Sequence, residues 1–425
     1  MTGARSRSAA RHRAAAKPLE APAPLPRRLQ SILALEDFAG PARKLLPRMV
    51  YSYVAGAVET GAGFRDASRA FDDYSFVPRV LRDVSQREQT RTLFGRTYSS
   101  PVGIAPLGGA AISAYRGDLA LAEAARHMNQ PMIMSASSLI RLEDLHRIYP
   151  GAWFQAYLAG DETRIDPMID RVARAGFETL VITVDTPVPG NRENNVRNGY
   201  SMPIRMTPRV ALDCFLHPRW TLFTLGRTFL CHGMPHFENM DALRGPPMMS
   251  RNLVRNLGDR DQFDWRHLEL IRRRWAGRLV VKGVLALDDA RRCRDVGVDG
   301  IILSNHGGRQ LDHSISPLRV LPEMRAAMGD FTIMIDGSVR RGADVLKALA
   351  LGADFVFVGR PFMFAAALAG SRGVMHAMDL LRAEIDRNMA MLGAVHLSEI
   401  DAGFLRHAER SGSTKHECLE ASGAK

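Results

Sequence analysis

From about residue 100 onward, short apolar runs alternate with longer stretches in which apolar residues recur every three or four positions. The short runs, at 102–105, 132–135, 153–157, 179–185, 279–282, 300–304, 332–336 and 355–359, are apolar without alternation, the signature of strands buried on both faces. Between most of them lie amphipathic segments at 118–128, 142–148, 163–175, 265–275, 287–296, 317–328, 342–351 and from 361 onward, each predicting a helix. This rhythm predicts an α/β fold, a (β/α)8 TIM barrel, preceded by an N-terminal helical segment. An open doubly wound sheet is the alternative, but no GxGxxG follows an early strand to support it.

The barrel reading carries a second expectation, because catalytic groups in such barrels gather at the C-terminal ends of the strands. Polar residues and glycines do fall there. After the first strand comes Pro106-Leu107-Gly108, and the second ends at Ser135. Gln155 and Tyr157 lie two apart, as do Thr183 and Asp185, so each pair shares one strand face. Lys282 closes the fifth run, an unusual place for a lysine unless it meets negative charge. After the sixth, Ser304-Asn305-His306-Gly307-Gly308-Arg309 sets a base and an anion clamp on one glycine turn. Such a pair suits a substrate with both a carboxylate and a removable proton. Asp336-Gly337-Ser338-Val339-Arg340 follows the seventh run and Gly359-Arg360 the eighth, where barrels commonly bind phosphate.

Composition narrows the function classes. The 425 residues are 46% apolar and 24% charged, as in a globular protein with a large core. Seven of the basic residues behind the net charge of +12 lie between Arg5 and Arg28 with one acid, Glu20, so residues 1–30 read as a disordered basic tail. The basic residues are not interleaved with aromatics, so no nucleic-acid partner is expected. Four scattered cysteines fit a reducing, cytoplasmic compartment, and their spacing to His217, His232 and His236 matches no common zinc pattern, so no metal is expected. The barrel domain is expected over residues 31–410, followed by a flexible tail at 411–425.

One interval breaks the rhythm: residues 188–262 form an insertion after the fourth strand. It mixes Trp220, Phe215, Phe223 and several leucines with Arg205, Arg209, Arg219 and Arg227. That composition suits a membrane-surface segment, a lid over the barrel mouth, or an oligomer contact.

The SNHGGRQLD run at 304–312, together with 336–342 and the KALALGA run at 347–353, resembles the FMN-dependent 2-hydroxy acid dehydrogenase and oxidase family. LDCFLHPRW at 212–220 and HGMP at 232–235 are most similar to its membrane-associated bacterial members. The resemblance implies FMN as cofactor and oxidation of an (S)-2-hydroxy acid to the 2-oxo acid, with mandelate as first substrate and L-lactate as second. It implies His306 as base, Asp185 as its carboxylate partner, Arg192 and Arg309 on the substrate carboxylate, and Tyr53 and Tyr157 as further substrate contacts. Pro106, Leu107, Gly108, Ser135, Gln155, Thr183, Lys282 and Ser304 would meet the flavin ring. Asp336, Gly337, Ser338, Val339, Arg340, Gly359 and Arg360 would meet its ribityl and phosphate groups. Gln310 and Asp312 are expected to be structural. A quinone acceptor, peripheral attachment to the inner face of the cytoplasmic membrane through the insertion, and a homotetramer are implied as well. Three positions depart from the glycolate oxidases: Leu107 replaces a threonine, Gly108 an alanine, and Ser137 falls near a bulky tryptophan. Gly108 favours an acceptor other than oxygen, and Ser137 a roomier pocket.

Overall fold

The structure is a computed structural model that describes residues 25–201, 203–250 and 259–408. Eight parallel strands form its centre: β1 Val102–Ile104, β2 Ile133–Ser135, β3 Trp153–Ala156, β4 Thr179–Thr183, β5 Arg278–Val284, β6 Gly300–Leu303, β7 Thr332–Asp336 and β8 Phe355–Val358. Each pairs with its neighbour in sequence from β2 to β8, and β8 returns to β1 with Phe357 opposite Gly103. The last seam, between β1 and β2, is closed by the Ile104 N–H donating to Pro131 O at 2.9 Å. The fold is a closed (β/α)8 barrel, as the alternation of apolar runs predicts.

Around it run α1 Gly117–His127, α2 Leu142–Ile148, α3 Glu162–Arg174, α4 Trp265–Arg274, α5 Leu287–Asp295, α6 Pro317–Met328, α7 Gly342–Ala350 and α8 Arg360–Leu392. The expected single helix from residue 361 onward is broken at Ala369 and Gly370, where Gly370 takes φ +58° and only a residue without Cβ avoids strain.

Strand periodicity splits the core into two bodies. Outward residues such as Phe154, Leu180, Val281 and Ile335 pack under the helices. Inward residues Ile133, Trp153, Val181, Val280, Ile302, Met334, Phe355 and Phe357 fill the barrel. The lower end is plugged by a β-hairpin, Arg91–Leu93 with Arg96–Tyr98, whose Leu93, Phe94 and Tyr98 join this inner core. This hairpin has no counterpart in the sequence reading, because each of its strands is only three residues long.

Chain segments outside the barrel clamp the N-terminal helices to its upper rim. Asp312 accepts hydrogen bonds from the backbone N–H groups of Thr60 and Gly63, and Arg319 pairs with Asp66 and Asp73. Tyr74–Phe76 pairs antiparallel with Leu405–His407, which ties the last strand of the described chain to the N-terminal segment. The expected tail at 1–30 gives way near its end. Leu29, at the end of the short 3-10 helix Arg27–Leu29, and Ile32, whose N–H donates to Leu29 O, are 0% and 1% exposed in the outer core, so packing starts before residue 31. Residues 1–24 and 409–425, which hold the rest of both expected tails, lie outside the described residues.

The insertion folds mainly as a helical arm, Pro208–Leu216 followed by Pro218–Trp220, a π-helical turn at Thr221–Gly226 and Arg227–His232. Thr207 caps its start by accepting from the Val210 N–H. Val210, Cys214 and Trp220 face the protein, and the Trp220 indole N–H donates to Ile112 O at 2.8 Å. Trp220 therefore anchors the arm instead of joining the outward apolar set.

Inner-barrel packing predicts the stability of the whole. Trp153→Ala removes a side chain wedged between Phe94 and Phe357 and is expected to cost about 3–5 kcal/mol by urea denaturation. Leu222→Ser, on the exposed arm, should change stability by less than about 0.5 kcal/mol. Equal effects of the two would contradict this division of the core.

Candidate active site

The inward positions change character at one level of the barrel. Two residues beyond Ile133, Trp153, Val181, Val280, Ile302 and Met334 stand Ser135, Gln155, Thr183, Lys282, Ser304 and Asp336. Because successive residues of a strand alternate faces, all six point to the same axis, directly above an apolar plug. All are buried. Lys282 Nζ lies 3.0 Å from Asp336 Oδ2 and donates to Ser304 Oγ at 2.7 Å. Burial works against its charge, but Asp336 and Asp185 outweigh that and raise its pKa. A register shift in β5 at Gly283, with φ +105°, sets this geometry. A Cβ there would lie 2.7 Å from Asp185 Cβ, so glycine lets Asp185 sit beside Lys282.

One step above this layer, His306 Nδ1 and Asp185 Oδ1 are 3.0 Å apart. The turn that presents the imidazole has three successive left-handed residues, His306, Gly307 and Gly308, at φ +57°, +64° and +69°. Two are glycines; His306 alone bears the Cβ strain of roughly 1–2 kcal/mol. It is held there by its N–H to Ser304 Oγ at 3.0 Å and by Asp185. Burial lowers the His306 pKa below its usual value against the pull of Asp185, so the ring is neutral at neutral pH. Burial alone would raise the Asp185 pKa, but His306 and Lys282 hold it below the ordinary carboxylate range. An ionised Asp185 can only accept, so Nδ1 carries the proton and the Nε2 lone pair is free for proton transfer.

Cationic groups converge on the same mouth. Arg309 donates to Val54 O at 3.2 Å and Gly56 O at 2.9 Å, and Arg360 reaches the same two carbonyls and Gly307 O at 2.7 Å. These carbonyls end the helix Arg48–Ala55, so two guanidiniums meet its negative dipole end and fix Tyr53 over the cavity. Arg192 is aimed by Gln310, which accepts from its guanidinium, and by Arg309 O at 3.0 Å. Burial and Arg192 push Arg309 down to about 10, and burial also lowers Arg340 and Arg360. None of Arg192, Arg309, Arg340 and Arg360 makes a salt bridge to a carboxylate among the described residues. Half-buried positive charge gathered at one mouth with no carboxylate in salt-bridge contact is a site for anions.

All this surrounds a cavity of about 1010 Å³ at the strand C-termini. Pro106, Leu107, Gly108, Tyr53, Tyr157, Thr183, Arg192, His306, Arg309, Gly337, Ser338, Val339, Arg340, Gly359 and Arg360 line it with Lys282, Asp336 and Ser137. Ser135, Gln155, Ser304 and Asp185 sit just behind, with Ser135 Oγ donating to Gln155 Oε1 at 3.2 Å. Gln155 Nε2, Thr183 Oγ1, Asp336 Oδ1 and Ser338 Oγ are buried and have no hydrogen-bond partner among the described residues. Unmet buried polar atoms cost about 1–3 kcal/mol each, and donors and acceptors are both represented. A ring with carbonyl and N–H edges, a polyhydroxyl chain and a phosphate would satisfy them and the arginines together, which is the chemistry of FMN. Asp312 holds the backbone of Thr60 and Gly63, whereas Gln310, expected to be structural, also lines the cavity and accepts from Arg192.

The insertion supplies lining residues that the motifs did not reveal: Tyr200, Phe237, Met240 and Arg260. Tyr200 stacks on Tyr53 with ring centres 4.6 Å apart. Met240 Sδ lies 3.6 Å from Ser137 Oγ and occupies part of the room that Ser137 opens. No local pattern in the sequence marked any of the four.

Comparison with known proteins agrees with the geometry. Residues 42–407 match the family described as FMN-dependent dehydrogenase. The chain is 37% identical over 379 residues to (S)-mandelate dehydrogenase of Pseudomonas putida, covering 89% of this chain and 95% of that one. It is 36% identical to an L-lactate dehydrogenase of Ectopseudomonas mendocina, covering 88% and 98%. A crystal structure of the monotopic membrane protein (S)-mandelate dehydrogenase superposes with a TM-score of 0.82 at 37% identity, over 89% of this chain and 100% of that one. A mandelate oxidase structure gives 0.72 at 31% identity, over 88% and 98%. With a barrel mouth shaped for the cofactor and a match over most of its length, this chain belongs to the FMN-dependent dehydrogenase family.

Proposed function

We propose that this protein oxidises (S)-2-hydroxy acids to 2-oxo acids, and the His306–Asp185 pair at 3.0 Å beside the unpaired arginines carries that reading. Arg309 and Arg192 hold the substrate carboxylate, and the Tyr53 and Tyr157 hydroxyls orient the C2 oxygen. His306 Nε2 takes a proton, and Asp185 stabilises the imidazolium that results. The same residues serve hydride transfer with hydroxyl deprotonation or initial removal of the C2 proton. FMN, when bound, supplies the two-electron acceptor. Lys282 places fixed positive charge beneath the reacting centre, where negative charge is favoured. Gln155, Thr183, Ser135, Ser304 and the 106–108 turn hold the ring side of the cofactor, and residues 336–340 with Gly359 and Arg360 the ribityl and phosphate side.

Mandelate or a similar aromatic acid is the first substrate and L-lactate the second. The small Ser137 and Gly108 leave space for a ring, and Phe237 and Met240 give it an apolar wall. Among described residues no helix is long and apolar enough to cross a membrane. Instead, the insertion arm exposes Leu212, Phe215, Leu216, Leu222, Phe223 and Leu230 beside exposed Arg209, Arg219 and Arg227. This surface suits shallow burial in an anionic leaflet, and we infer peripheral attachment at the cytoplasmic face with a quinone as electron acceptor.

Four outcomes are expected. His306→Gln should lower kcat/KM with a soluble dye acceptor by roughly 3–6 kcal/mol of transition-state stabilisation; near-full turnover would refute the base. A base with depressed pKa keeps its activity to lower pH: kcat/KM should be flat above about 6.5 and fall only as pH drops through the lower His306 value. Asp185→Asn should move that limb further down while slowing turnover roughly 10²–10⁴-fold; a limb moving up would contradict the pairing. Changing Phe215, Phe223 and Leu230 to Glu together should weaken binding to anionic vesicles at least about tenfold and leave dye-linked turnover intact. Unchanged vesicle binding would show that the arm is not the anchor.

A further inference from the structure

Arg260 reaches the cavity from the far end of the insertion, and the assignments above leave it no task. Its Cζ sits 4.5 Å from the centre of the Tyr157 ring, over the face. Its guanidinium has no hydrogen-bond or carboxylate partner among the described residues, although it lines the same cavity as His306 and Arg309. Burial lowers the Arg260 pKa and Arg164 adds to that, while Tyr157 works against it.

The chain is built to hold it there. The Gly160 N–H, three residues beyond Tyr157, donates to Asp259 O at 2.7 Å. A Cβ at Gly160 would lie 2.5 Å from the Gln262 carbonyl carbon, so the two turns touch only because residue 160 is glycine. Asp259 takes φ +65°, a left-handed conformation uncommon for a residue with a Cβ. A short 3-10 turn, Arg260–Gln262, follows and is capped by the Phe263 N–H on Arg260 O at 3.2 Å. The return of the insertion is thus fastened to the end of β3, immediately over Tyr157.

We propose that Arg260 is a positioning residue for substrate oxidation that acts through Tyr157: its cation fixes the ring and strengthens the phenol as a hydrogen-bond donor to the substrate oxygen. A guanidinium over an aromatic face draws electron density from the ring and makes its hydroxyl a better donor to developing negative charge. Burial and Asp185 raise the Tyr157 pKa, and Lys282 and Arg260 are the groups that counter them. The inference rests on the 2-hydroxy acid reading and assigns that site a residue which no motif supplied.

The test is a double-mutant cycle on the FMN-loaded enzyme: Arg260→Gln, Arg260→Lys, Tyr157→Phe and Arg260→Gln/Tyr157→Phe. Arg260→Gln should lower kcat/KM about tenfold, more through kcat than KM, and Arg260→Lys should recover most of the loss. In the Tyr157→Phe background, removing Arg260 should change kcat/KM less than about twofold. A full effect persisting without the phenol would overturn the proposal in favour of direct substrate contact. No effect in the wild-type background would overturn it outright. Calorimetric binding of the non-reacting 2-oxo acid, here phenylglyoxylate, separates the two levels. Wild type that neither binds it nor turns over any 2-hydroxy acid removes the functional reading and this proposal together. Wild type that does both, with Arg260→Gln and Arg260→Lys indistinguishable from it, removes this proposal alone.

Discussion

The buried contact of Lys282 with Asp336 and Ser304 is the constraint on which the site depends. It lies where six strands change from apolar to polar inward residues, and a closed barrel leaves those side chains no other direction. An ammonium that is 3% exposed is tolerable only with close partners, and breaking such a pair costs about 3–5 kcal/mol. Asp336 is thereby tied to β5, Ser304 to His306, and His306 to Asp185. One ion pair fixes the height at which the base and its carboxylate stand above the plug.

The arginines define the remaining half of the site by what they lack. Arg309 and Arg360 are hydrogen-bonded to carbonyls, which satisfies donors but leaves net charge half-buried. That charge binds the helix carrying Tyr53 to the rim, and in the proposed function the same excess would draw a substrate carboxylate and a cofactor phosphate. Stability and recognition come from the same groups here, so weakening one carbonyl contact would also move a binding residue. The glycines of the 306–309 turn serve both ends: Gly308 permits contact with the Phe64 backbone, where a Cβ would approach to 2.6 Å.

The barrel was legible because parallel strands buried on both faces leave unmistakable apolar runs, and because period two places strand-end polar residues on one axis. Lys282, Gln155 and Asp336 could be read that way from spacing alone. Tyr53 could not: it lies on an eight-residue helix with no barrel periodicity, held by arginines some 250 and 300 residues away in sequence. Tyr53 and Arg192 emerged only from the family resemblance. Arg260, Met240, Phe237 and Tyr200 were missed because the insertion is positioned by tertiary contacts, Trp220 on Ile112 O and Asp259 on Gly160, that leave no local pattern. Trp220 itself illustrates the limit, since composition placed it with the exposed apolar residues and packing buried it.

In the proposed function, one mouth binds a flavin and a hydroxy acid together and hands electrons from one to the other. Anaerobic mixing of the FMN-loaded protein with (S)-mandelate, (R)-mandelate and L-lactate, followed by flavin absorbance, tests this most directly. Rapid loss of the yellow absorbance is expected with the (S)-acid and none with its enantiomer. Protein that binds no FMN, or a flavin that stays oxidised with every (S)-2-hydroxy acid, would contradict the proposed function.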